Sequence, residues 1–213
     1  MDLTSAVCAQ PSPESVPVEQ RASPRFASLI RSAKMVCPQG EFLCVIRDVS
    51  AIGISVRTFH GLPDSRDLKL ELQNGETYRL TETRRETLAA SYTFDRPVDV
   101  ERLIHETWHF PKRQLRLNIA IPLEFSGLTG GGAGTSVNLS QQGARVSCDA
   151  AFSLDQTICV TGSDFPETRA KVRWRKEGEY GLVFENTFSL RQFALMAAAV
   201  QCPAMLDVTR APV

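Results

Sequence analysis

The chain has no excess of either charge, 24 basic residues against 24 acidic, and only three histidines in 213 residues. Balanced charge leaves no bulk electrostatic footprint for coating a polyanion, and aromatic residues are not interleaved with a basic stripe, so nucleic-acid binding is not expected. Three histidines leave few general bases, and no Ser-His-Asp order, paired-carboxylate motif or nucleophile elbow stands in their place, so no enzymatic activity is expected. No apolar run approaches the roughly 18 residues that cross a bilayer. The longest candidate, "FALMAAAV" at Phe193 to Val200, is short and rich in alanine. The opening "MDLTSAVCAQPSPESVPVEQ" lacks the basic and apolar regions of a signal peptide. A cytoplasmic location without membrane insertion is therefore expected. C-x-x-C spacing is missing too: Cys8, Cys37, Cys44, Cys148, Cys159 and Cys202 are scattered, which favours free thiols in apolar gaps over disulfides or zinc. His105 and His109 are spaced i, i+4, but no third ligand stands near them, and no metal or cofactor is expected.

What is present is apolar residue in quantity, 43% of the chain, enough to build one large core or two small ones. Residues 1–18 hold prolines 11, 13 and 17 among polar residues and are expected to form a tail without a core. From Ala27 the pattern alternates in short runs: "ASLIRSAKMV", a break at Pro38-Gln39-Gly40, "EFLCVIRDVS", "GISVRTF" and "LKLELQ". An Asn74-Gly75 hairpin turn leads to "ETYRLTET", and "TLAASYTF" supplies a sixth strand. Pro97 then opens "PVDVERLIHETW", where Val100, Leu103, Ile104 and Trp108 fall at helical spacing.

The second half replays this order: "LNIAIPLEFSG", a glycine-rich loop "LTGGGAGT", five further strands ("SVNLS", "ARVSCD", "QTICVTG", "RAKVRWRK" and "EYGLVFEN"), and a helix "LRQFALMAAAVQ". "GLTGGGAG" has no G-K-[ST] ending, so a hairpin loop is expected there rather than a phosphate cradle. Gly143 follows Gly53, Asn138 follows Asp48 and Phe184 follows Phe94 by 90 residues each, and Arg116 follows Arg25 by 91. Almost one offset across four landmarks is an internal repeat of domain size. The expected fold class is all-β, two consecutive six-stranded antiparallel barrels, each followed by a C-terminal α-helix. The first domain is expected over residues 19–110 and the second over 111–213. Trp108 and Trp174 are expected as core or interface aromatics.

Two motifs carry chemistry. "RASPRF" sets Arg21 and Arg25 four residues apart around Pro24, and such a pair can stack on a purine face or fork onto phosphate and guanine edges. "DVSAIG" provides Asp48, Ser50 and Gly53 in a turn whose side chains hydrogen-bond the backbone and offer acceptors to a base, while glycine allows φ > 0 or close approach. "NLSQQG" repeats it as Asn138, Ser140 and Gly143. From average composition, [DN]-x-S-x-x-G is expected about 0.1 times in such a chain, so two copies at matching positions are not chance.

"RASPR" followed by "DVSAIG" resembles the PilZ domain, a six-stranded barrel with a trailing helix. "RLNIAIPLEF", "NLSQQGARV" and "AKVRWRKEGEYGLVF" resemble the same family, and together the resemblance spans roughly residues 19–200. It implies a receptor for the bacterial second messenger cyclic di-GMP. Arg21 and Arg25 would clamp guanine and phosphate, Asp48 and Ser50 would contact a guanine, and Gly53 would shape the turn. The second copy departs from the pattern, with Lys112 four residues before Arg116 and Arg113 at a different spacing; lysine has no planar fork. Lys112, Arg113, Arg116, Asn138, Ser140 and Gly143 therefore form a weak second site or none. In the first copy, Ala89-Ala90-Ser91 and Tyr92 replace the glycine and tryptophan of the late strands, which is expected to touch packing more than ligand contact. The reading is a cytoplasmic receptor that relays cyclic di-GMP binding to an unidentified protein effector; the alternative is a ligand-independent interaction scaffold built on the same barrels.

Overall fold

The structure, a computed structural model, describes residues 26–104, 114–128 and 130–207. Among the described residues twelve strands close two barrels. The first contains β1 (Phe26–Cys37), β2 (Gly40–Val49), β3 (Gly53–Arg57), β4 (Leu68–Glu71), β5 (Thr77–Arg85) and β6 (Ala89–Phe94), and is followed by α1 (Val100–Ile104). The second contains β7 (Pro122–Gly127), β8 (Gly130–Ser140), β9 (Gly143–Cys148), β10 (Thr157–Gly162), β11 (Phe165–Lys176) and β12 (Glu179–Phe184), and is followed by α2 (Leu190–Gln201) and a 3-10 turn (Pro203–Leu206). Around the barrels the neighbours run β1-β2-β3-β6-β5-β4 and β7-β8-β9-β12-β11-β10, the same permutation twice, with every pairing antiparallel. Closure removes the unpaired edges that an open sheet would expose.

The repeat holds at the level of single hydrogen bonds. The Phe94 and Val98 amides donate to the carbonyls of Ile52 and Ala51, and the Phe184 and Phe188 amides donate to Gln142 and Gln141, each 90 residues on. Alternation places Ile54, Val56, Ala90 and Tyr92 inside the first barrel and Val146, Leu182 and Phe184 inside the second. The Asn74-Gly75 turn joins β4 to β5 as expected: Gly75 sits at φ 85°, and the Asn74 side-chain oxygen accepts from the Glu76 amide at 2.9 Å.

The glycine-rich segment departs from the expected loop. Gly130 to Gly134 belong to β8 and pair with Leu123–Gly127, Phe125 lying opposite Gly132. The glycines mark close approach rather than a flexible tip: a Cβ at Gly131 would collide with the Phe125 carbonyl, and one at Gly134 with the Ser147 carbonyl.

Helix α2 begins with a capping box between Ser189 and Gln192. Its Phe193, Ala194 and Ala197 close the core of the second barrel, while its Ala198 and Met205 of the following 3-10 turn join the core of the first. The helix that trails the second barrel thus touches both, and its alanines permit the close approach. Between the barrels, Lys34 is 3% exposed, paired with Glu41 at 3.1 Å and Glu71 at 3.0 Å, and donates to the Arg116 carbonyl at 3.4 Å. Glu41 in turn accepts from the Asn118 backbone amide at 2.7 Å and its side-chain amide at 2.9 Å.

Candidate functional site

The turn between β2 and β3 is closed by its own serine. Ser50 N–H donates to the Gly53 carbonyl at 2.8 Å, and its hydroxyl oxygen accepts from the Gly53 amide at 3.1 Å. Ser50 is buried, and the same hydroxyl lies 3.3 Å from the Gly53 carbonyl. Gly53 is needed for close approach, since a Cβ there would stand 3.0 Å from the Tyr92 carbonyl; its φ is not positive. Asp48 is half-buried, and its Oδ2 accepts from the Ser55 hydroxyl at 2.8 Å.

Phe26 pairs with Val49 and Ala27 with Asp48, so the strand that follows Arg25 in sequence begins beside the turn. Arg21 and Arg25 themselves lie outside the described residues, as do the expected tail, Lys112, Arg113, His105, Trp108 and His109. In the second copy the equivalent bridge is Leu117 with Leu139. Arg116 is exposed there, Ser140 is buried with its hydroxyl donating to the Gly143 carbonyl at 3.1 Å, and half-buried Asn138 pairs with Arg145.

Across the outer face of the first barrel the register lines up Asp48, Ser55, Ser91 and Arg84, one residue from each of four adjacent strands. At about 4.8 Å between strands the row is roughly 15 Å long. It crosses a cleft of about 600 Å³ whose margins add Arg47, Arg57 and Glu86, within the range of about 300–1,000 Å³ typical of small-ligand sites. Ser55, Ser91 and Ala89 are short, and the cleft lies open above them. A second cleft of about 600 Å³ lies by Tyr78, Phe94 and Arg102 and contains none of the motif residues.

The same row in the second barrel reads Asn138, Arg145, Gly181 and Trp174. Trp174 packs directly over Gly181, where any Cβ would collide with the indole, and Arg145 forms an ion pair with Glu179. Trp174 is 41% exposed and lies on the outer surface rather than in the core. By register its first-copy counterpart is Arg84. Sequence reasoning missed Arg47, Arg57 and Arg84, and treated the Ala89-Ser91 replacements as packing changes. Tyr92 is indeed buried, but Ala89 and Ser91 line the cleft. The signal that could have found them is the 90-residue offset carried along every strand: it sets Arg84 against Trp174 and Ser55 against Arg145.

Among the described residues no group of three or more His, Cys, Asp or Glu could hold a metal ion, and no helix is long and apolar enough to cross a membrane.

Among protein families, the model of the PilZ domain matches residues 111–201, a stretch that spans the second barrel and α2. Comparison with curated proteins finds no match. Among solved structures, the PilZ domain of CeSA from a cellulose-synthesizing bacterium is 22% identical, with 40% of this chain and 94% of that one covered and a TM-score of 0.32. The Bacillus subtilis inhibitor of motility MotI/DgrA is 11% identical over 83% of this chain and 98% of that one, TM-score 0.34. The Borreliella burgdorferi PlzA protein, solved in complex with c-di-GMP, is 9% identical over 80% and 87%, TM-score 0.33.

Proposed function

We propose that this chain is a non-enzymatic receptor that binds cyclic di-GMP at its first barrel and passes the event to a protein partner. The observation that carries the reading is the pairing of Phe26 and Ala27 with Val49 and Asp48. It joins an arginine pair, four residues apart, to a strand end that starts beside the D-x-S-x-x-G turn. The chemistry suits the ligand on both counts. Guanidinium groups match phosphate oxygens and guanine acceptor edges. A carboxylate such as Asp48 accepts from guanine N–H groups. The PilZ assignment of residues 111–201 adds support, because the first barrel repeats that domain's strand order and turn.

The second barrel reads differently. Trp174 over Gly181 and the Arg145 to Glu179 pair occupy the surface that is open in the first. With Lys112 in place of the first arginine, this favours a second barrel that serves as a structural and partner-binding unit. The ligand-independent scaffold is the reading that follows if the first barrel is also silent.

Calorimetric titration of cyclic di-GMP into the wild type and Arg25→Ala, with GTP as control ligand, tests the proposal. Micromolar or tighter binding that is lost in the variant supports a receptor. A wild type that yields no heat and no shift in melting temperature makes the chain a scaffold.

A further inference from the structure

Resting on the receptor reading, we propose that Arg57 and Arg84 form the seat for the anionic, phosphodiester side of the ligand, on strands that carry neither motif arginine. The argument is spatial. Arg57 ends β3 and Arg84 lies near the end of β5, and β6 runs between them, with Arg57 opposite Ala89 and Arg84 opposite Ser91. Two short side chains therefore separate two guanidinium stems, and the cleft above them is open to about 600 Å³. Both arginines are exposed, so neither is held by burial.

The charge pattern selects the ligand class. Arg47, Arg57 and Arg84 face two carboxylates, Asp48 and Glu86. Asp48 is engaged by Ser55 at 2.8 Å, and Glu86 lies 3.1 Å from Arg84. A bare polyanion would meet both carboxylates at a cost. A nucleotide presents oxygens to the arginines and N–H donors to the carboxylates, and so uses both kinds of group. The second barrel supplies the contrast within one molecule: the positions of Arg57 and Arg84 hold Ser147 and Trp174, and the floor is covered. Among the described residues this seat is thus confined to the first barrel.

The experiment is calorimetry of cyclic di-GMP with wild type, Arg25→Ala, Arg57→Ala and Arg84→Ala at low and moderate salt. Loss of at least tenfold in affinity for Arg57→Ala and for Arg84→Ala, with weaker salt dependence than the wild type, is expected. Unchanged affinity in both, alongside loss in Arg25→Ala, overturns the seat and leaves the receptor reading standing. If the wild type does not bind cyclic di-GMP, the receptor reading fails separately. Inorganic pyrophosphate is then titrated against the arginine Nε–H resonances: shifts at Arg57 and Arg84 retain the anion seat, and silence there removes it. Both residues are surface-exposed, and unchanged melting temperatures verify folding of the variants.

Discussion

Glu41 of β2 and Gln201 of α2 hold each other by two hydrogen bonds across 160 residues of sequence. The Gln201 side-chain amide donates to the Glu41 carbonyl at 2.7 Å, and the Glu41 amide donates to Gln201 Oε1 at 2.9 Å. The Glu41 carboxylate meanwhile holds Lys34 and Asn118. One residue of the first barrel is thereby tied to the helix of the second barrel and to the chain that leads into it.

Replacing Gln201 by alanine removes both bonds and leaves the Glu41 backbone groups without their partner. A loss of about 1–2 kcal/mol is expected in chemical denaturation. Gly40→Ala is expected to cost more, because Gly40 sits at φ 139° and an added Cβ would run into the Gln201 side chain. Equal midpoints for the two variants would contradict this link.

The two motif glycines are not equivalent. A Cβ at Gly53 would stand 3.0 Å from the Tyr92 carbonyl, whereas one at Gly143 would collide with the Leu182 carbonyl. Gly143→Ala should therefore destabilise the protein more than Gly53→Ala, by about 1–3 kcal/mol. Denaturation midpoints of the two single variants decide the order.

His60 is fully buried, with Nδ1 2.6 Å from the Gly61 carbonyl and no partner at Nε2 among the described residues. A carbonyl can only accept, so Nδ1 carries a proton. Burial lowers its pKa below the ordinary 6.5, opposed by the Gly61 bond. The unfolded chain therefore binds a proton below pH 6.5 that the folded chain refuses, and stability must fall as pH drops through that window toward the lowered folded value. The slope from this one group is at most about 1.4 kcal/mol per pH unit. His60→Leu is expected to flatten the curve below pH 6.5; an unchanged slope would show that His60 titrates normally.

Cys44 lies fully buried, its thiol 3.6 Å from the Ala33 carbonyl, and desolvation pushes its pKa up to about 12. At pH 8 almost no thiolate is present, and thiolate is the reactive form. Alkylation followed by peptide mass mapping should label half-exposed Cys202 well before Cys44. Equal labelling rates in the native protein would refute the burial.

The repeat, the strand alternation, the Asn74-Gly75 hairpin and the paired [DN]-x-S-x-x-G turns were legible in the sequence, because each is a local pattern or a constant offset. The turn's construction was legible as well: Ser50 and Gly53 interact over three residues. The segment Gly127 to Gly134 reads as a loop in the sequence although most of it is strand, since glycine signals both flexibility and close backbone approach, and only the facing strand tells them apart.

Tertiary structure alone decided the rest. Closing the barrel sets β3 beside β6 and β6 beside β5, so Asp48, Ser55, Ser91 and Arg84 share one row although most are distant in sequence. No local pattern marks Arg57 or Arg84, because an exposed arginine on a strand reads as a solvated face until its neighbours are known. The same holds for α2, whose amphipathic pattern announces one buried face but not that the face is divided between two barrels. Periodicity and turn chemistry act through neighbours along the chain and can be read from it; the composition of a surface cleft depends on which strands the barrel brings side by side.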